Sequence, residues 1–148
     1  MATVVVDDHL LRDVLTGNRS PDLGGIASSL ATTGLWLFRL SSAWATTDAK
    51  GTLTAPVAAL PPDQQETFVA ALVALPDEIE LLPLRQLAWP MALLQHRHRG
   101  EGRPLSTAMV EALAAAHALD AAIAVSRRDV GPNLKASAER DRVAFHIL

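Results

Sequence analysis

The sequence predicts a three-layer α/β domain built on a central, mainly parallel sheet. Two observations carry this. Short apolar runs such as TVVV (3–6) and AAIAVS (121–126) lack polar alternation, as strands do when both faces are buried. Segments of helical periodicity separate these runs, the β–α alternation of crossover-connected parallel strands. At 148 residues the chain is expected to form one domain, 1–148, large enough to bury a real core.

Taken in order, TVVV is the first strand, and DDHLLRDVLTG the first helix. Asp7 or Asp8 can cap that helix, and Gly17 can close it. NRSPDLGG reads as a loop. IASSLATT offers a brief strand, and Gly34 to Trp44 an apolar helix. TTDAKGTLTAP reads as a second loop. The stretch 61–75 is a helix with proline near its start, acids in its first turn and a stripe of Phe68, Leu72 and Leu75. A strand is expected at about 79–83, then a helix through LRQLAWPMALLQHRHR, kinked at Pro90 and basic at its end. GEGRP breaks the chain, and Ser106 or Thr107 caps the helix LSTAMVEALAAAHAL. AAIAVS is a strand, GPNLKASAER a helix and VAFHIL the closing strand.

Composition excludes several chemistries. With no cysteine there is no disulfide, no thiol nucleophile and no cysteine-ligated zinc. A formal net charge of −3 leaves any nucleic-acid contact to a local basic patch. No apolar run approaches the roughly 20 residues of a membrane span, so no membrane partner is expected. MATVVVDDHLL lacks the basic start and apolar stretch of a signal peptide, and the expected setting is the cytoplasm. No serine stands in a nucleophile elbow, and GNRSPDLGG lacks the lysine of a phosphate-binding loop.

The acids are the chemical signal. Functional groups of parallel sheets gather at the carboxyl ends of the strands. Asp7 and Asp8 follow the first strand directly, Asp129 follows AAIAVS by a few residues, and Glu111 lies on the helix that leads into AAIAVS. Each also has an ordinary explanation. Asp7 and Asp8 suit helix caps, Glu111 suits the positive end of a helix dipole, and Asp129 before VGPN suits a turn. Joint placement, rather than any single residue, points to metal binding.

An apolar strand ending in Asp, an acid opening a helix of the form (D/E)-A-L-x-A-A-x-A-L, and a later strand followed by an acid together resemble the PIN domain. This is the fold of the VapC-type toxin ribonucleases. The likeness extends over most of the chain. LRQLAWPMALLQHRH is similar to the helix before the acid-bearing one, and GPNLKASAERDRVAFHIL to the closing helix and strand. The resemblance implies an endoribonuclease acting on single-stranded RNA, with Asp7, Glu111 and Asp129 as catalytic metal ligands for Mg²⁺ or Mn²⁺. It also implies a homodimer or an antitoxin-like protein partner. One feature departs from the family. The helix GLWLFRLSSAW has no acid where a second one is expected, and Arg39 stands about there. Asp8 is a substitute carboxylate, and Arg39 a built-in counter-ion that weakens Mg²⁺ binding. The alternative expectation is therefore a catalytically inactive PIN-like module that binds RNA or protein. A third is an unrelated α/β binding domain of flavodoxin-like kind.

Arg97, Arg99 and Arg103, with Arg127 and Arg128, are candidate contacts for RNA phosphates, or else solvated helix ends. His96 and His98, two residues apart, do not share a helical face, which argues against zinc. His117 is expected to be packed or at a helix end. Trp36, Phe38, Leu40, Trp44 and Trp89 are expected in the core by helical spacing.

Overall fold

The computed structural model describes residues 2–46 and 51–148. It is an α/β fold with a five-stranded, all-parallel sheet: β1 (Ala2–Val6), β2 (Ala27–Thr32), β3 (Ile79–Leu81), β4 (Ala122–Val125) and β5 (Phe145–Ile147), in the order β3-β2-β1-β4-β5. Register is set by pairs such as Val5 with Ala31 and Val5 with Ile123. The order differs from the 2-1-3-4-5 of flavodoxin-like domains. It reverses direction between β1 and β4, making the crevice beyond their carboxyl ends the topological switch point.

Successive valines of β1 explain the three layers. Val5 packs with Ala31, Ile123 and Val125 against α6 (Leu84–Gly100), α7 (Thr107–Leu119) and α8 (Pro132–Arg140). Val4 and Val6 point the other way. They pack with Leu30 and Ala124 against α1 (Asp8–Leu15), α2 (Pro21–Ile26), α4 (Ala55–Ala58) and α5 (Pro62–Val73). The helix α3 (Gly34–Ala45) serves both sides, Trp36 in one core and Leu40 in the other. A run with no polar alternation is the consequence of burial on both faces.

Two expected loops contain helix. NRSPDLGG and the following Ile26 hold α2, because Pro21 fits a first helical turn and the Ser20 hydroxyl accepts the Asp22 N–H at 3.2 Å. Ala55 and Pro56 of the second expected loop begin the one-turn α4, while residues 47–50 of that loop lie outside the described residues. The expected strand at 79–83 ends at Leu81, since Pro83 lacks an amide donor.

The aromatic residues divide. Trp36 and Leu40 are buried, and Trp44 meets Phe68 edge-on with centroids 5.8 Å apart. Phe38 is 65% exposed and Trp89 72% exposed, which corrects their expected place in the core. Each of their helices turns only one stripe inward, Leu87, Met91 and His98 in the case of α6. No helix among the described residues is long and apolar enough to cross a membrane.

Candidate functional site at the carboxyl edge

Asp7 sits at the switch point. Its backbone continues the β1–β4 ladder, Asp7 N–H donating to Ala124 O at 3.2 Å. Its extended backbone (φ −74°, ψ 179°) makes it the N-cap of α1, as an Asp before a helix should be. One carboxylate oxygen accepts the Leu10 N–H at 2.9 Å, and the other accepts the Ser126 N–H at 2.8 Å. The side chain therefore ties the end of β1 to the end of β4. Burial pushes the Asp7 carboxyl up to about 6; the two amides oppose this, and the neighbouring Asp8 charge adds to it.

Asp8 is fully buried at the first position of α1. Its Oδ1 accepts the His9 N–H at 3.0 Å and contacts His9 Nδ1 at 3.1 Å. That hydrogen bond raises the His9 imidazole above its ordinary value, against burial, which lowers it. Asp8 Oδ2 and His9 Nε2 are buried without a hydrogen-bond partner among the described residues. The charge on Asp8 Oδ2 is met instead by Arg39 Nε, 3.3 Å away.

Arg39 then reaches further. Its Nη2 donates to Asp129 Oδ2 at 3.1 Å, so one guanidinium spans a buried acid on α1 and a half-exposed acid beyond β4. Asp7, Arg39 and Asp129 line one small cavity of about 40 Å³, together with Trp36, Met109 and Gly131. At Gly131 an added Cβ would lie 2.5 Å from Met109 Cε, so glycine lets that side chain close the cavity wall.

Glu111 belongs to the same edge but does other work. Its Oε1 accepts the Leu35 N–H at 2.8 Å, and its Oε2 lies against Gly34. The Thr33 hydroxyl accepts the Trp36 N–H at 3.1 Å. Together they satisfy the amino end of α3. Asp7, Glu111 and Asp129 share the edge without converging on one point. Among the described residues, one group of three acid or histidine side chains has ligand atoms all within 4.8 Å of one another: Asp7, Asp8 and His9. The donor set fits a divalent ion poorly. Both Asp7 oxygens already accept amides, Asp8 Oδ1 holds His9, and a guanidinium faces Asp8 Oδ2. Mg²⁺ needs octahedral oxygen ligands and several retained waters.

The arginines separate into two groups. Arg127 and Arg128 are exposed in the turn that leads to Asp129, at the acidic edge. Arg97 and Arg103 lie at the opposite edge, where strands begin. There Asp141, beyond α8, accepts Arg97 Nη2 at 2.8 and 2.7 Å, His98 Nε2 at 3.2 Å and His117 Nε2 at 2.9 Å. Arg103 Nε donates to His98 Nδ1 at 3.1 Å, so the fully buried His98 keeps Nδ1 unprotonated and donates from Nε2. Arg103 also pairs with Glu101 at 2.5 Å. Arg99 is exposed near the end of α6. Arg97 and Arg103 are thus engaged in a network around Asp141 and His98, away from Asp7.

Three participants escaped the sequence reading: His9, the Ser126 amide and the Leu35 amide. His9 had a local signal, a histidine directly after two acids. The amides had none, since a backbone N–H looks the same at every position. No protein-family model matches the chain, and no curated protein matches it.

Proposed function

We propose that this chain is a PIN-like module that binds single-stranded RNA without cutting it, Arg39 taking the place of the divalent cation. The observation that carries this is the Arg39 bridge from Asp8 to Asp129. A guanidinium already sets one positive charge against these two carboxylates, which lowers their attraction for Mg²⁺ or Mn²⁺. The RNA preference rests on the mouth of the same edge. Exposed Phe38 directly precedes Arg39 on α3, and Arg39 reaches the turn carrying Arg127 and Arg128. Exposed cations that hold phosphates, with an exposed aromatic on the same helix as one of them, are the parts from which single-strand sites are built.

A second reading is the Mg²⁺- or Mn²⁺-dependent endoribonuclease on Asp7, Glu111 and Asp129, supported by the position of all three at one sheet edge. One experiment separates the two. Fluorescently labelled single-stranded RNA is incubated with wild type, Asp7→Asn and Arg127→Ala/Arg128→Ala, with Mn²⁺ or with a chelator. Binding by anisotropy that survives the chelator, leaves the RNA intact and weakens in the double arginine variant upholds the binding module. Its salt dependence should then fall by a slope of about 1.4, two phosphates at about 0.7 each. Mn²⁺-dependent cleavage that disappears in Asp7→Asn would overturn it in favour of the nuclease.

A further inference from the structure

At the edge where the strands begin lies a cavity of about 300 Å³, away from the acids already described. That is the size at which small-molecule sites start, about 300–1,000 Å³. Strand-start alanines, Ala2 and Ala122, line part of it.

Two helices end there in the same unusual way. In α7, Ala121 N–H returns to Ala116 O at 2.8 Å around Asp120, whose φ is +48°. In α8, Val143 N–H returns to Ala138 O at 2.8 Å around Arg142, whose φ is +59°. Both are Schellman closures, whose left-handed residue is ordinarily glycine because a Cβ is strained there. Here the two strained positions carry opposite charges, and both residues line the cavity. Neither makes an ion pair among the described residues, with the other or with anything else. Asp tolerates the left-handed region better than most residues, so Arg142 is the more strained of the two, and a strained residue on a cavity wall is where a functional hypothesis starts. The other acid of the cavity, Asp141, is already satisfied by Arg97, His98 and His117. Asp120 and Arg142, both solvent-exposed, are left as two opposite charges on the wall of one cavity without an ion pair among the described residues.

We propose that this cavity binds a small zwitterion of the amino-acid class with a short apolar side chain. Its ammonium group pairs with Asp120, its carboxylate pairs with Arg142, and its side chain lies on the alanines. The two charges of such a ligand match the two charges of the site, and its short apolar part has the alanines of an otherwise polar wall to lie on.

The test is a ¹⁵N-correlation titration of the whole chain with L-leucine. The controls are 4-methylpentanoate, which lacks the amine, and 3-methylbutylamine, which lacks the carboxylate. Saturable shifts at the amides of residues 116–122 and 141–144 are expected with leucine, about tenfold weaker or absent with each control, as for loss of one charge-assisted contact. Asp120→Gly and Arg142→Gly remove one charge each and relax the backbone, so both should fold and lose the shifts. Asp120→Asn and Arg142→Asn, also at ease in the left-handed region, give a second pair. No saturable shift with leucine overturns the proposal. Equal binding by either control removes the zwitterion, and leucine binding unchanged in all four variants removes the site.

Discussion

The Glu111 carboxylate accepts the backbone N–H of Leu35 at 2.8 Å, so an acid on α7 completes the amino end of α3. Removing it leaves a helix-end amide at a half-buried position without its acceptor. Glu111→Ala is expected to lower unfolding stability by about 1 kcal/mol, the net worth of a hydrogen bond at a half-buried amide. Glu111→Gln keeps an acceptor oxygen and should lose less. Urea denaturation of the three proteins decides it, and equal midpoints would remove the cap from the account.

Arg39 joins two acids in unequal surroundings, Asp8 fully buried and Asp129 half-exposed. Its two partners should therefore respond differently. Asp129→Ala breaks a surface pair and should change stability by no more than about 1 kcal/mol. Arg39→Ala leaves the buried Asp8 with its His9 contacts alone and should cost about 1–3 kcal/mol. With Arg39 gone, Mn²⁺ can take over its role. Thermal melts of Arg39→Ala should rise with added Mn²⁺ while those of wild type stay level. A wild-type melt that rises equally would show that the guanidinium does not exclude the ion.

Stability should depend on pH in a direction set by Asp7 and His9. Asp7 is pushed from 3.8 to about 6, so the native state holds that proton more tightly than the unfolded chain does. Its contribution to stability is greatest below 3.8 and declines as pH rises through about 6. By linkage the change is on the order of 3 kcal/mol. His9, raised above 6.5, acts in the same sense: its stabilisation is complete below 6.5 and is lost as pH rises through the folded value. The chain should accordingly be more stable near about pH 5 than near about pH 8 by urea denaturation. In Asp7→Asn the fall between 3.8 and about 6 should flatten. An unchanged slope would mean that Asp7 titrates normally.

Asp141 works in the opposite sense. Burial pushes its carboxyl up, but hydrogen bonds from His117, His98 and Arg97 outweigh burial and hold it below 3.8. Its stabilisation is present above 3.8 and is lost as pH falls through the lower folded value. Asp141→Asn removes the charge from the centre of a network that includes the fully buried His98. A loss of about 1–3 kcal/mol is expected, since the buried His98 loses its charged acceptor while Arg97 and His117 are half-exposed. In the same variant the His98 imidazole resonances should shift strongly; a silent His98 would contradict the network.

Phe38 and Trp89 show where the sequence reading stopped short. Both stand in apolar helices, and spacing placed them in the core, yet each faces outward. Periodicity states how many apolar residues a helix has on a face; it does not state how much of that face another element covers. The small helix α2 was hidden for a different reason. Its two glycines read as loop, while Pro21 at the first turn and the Ser20 cap outweighed them.

What the sequence determined by itself was local. Continuous β-branched runs set the buried strands, and the Asp7, Thr33 and Ser106 caps set helix starts, because these signals act within one turn of their own residue. The position of Asp7 and Asp129 at the strand ends was legible by the same logic. Only the tertiary structure decided what those acids do. Glu111 meets Leu35 across 76 residues, Arg39 meets Asp129 across 90, and Asp7 meets Ser126 across 119. Such pairs depend on strand order and on the register of β1 beside β4, and no local pattern encodes either. The same carboxylates could equally have faced an ion; the packing of α3 over the switch point set a guanidinium against Asp8 and Asp129.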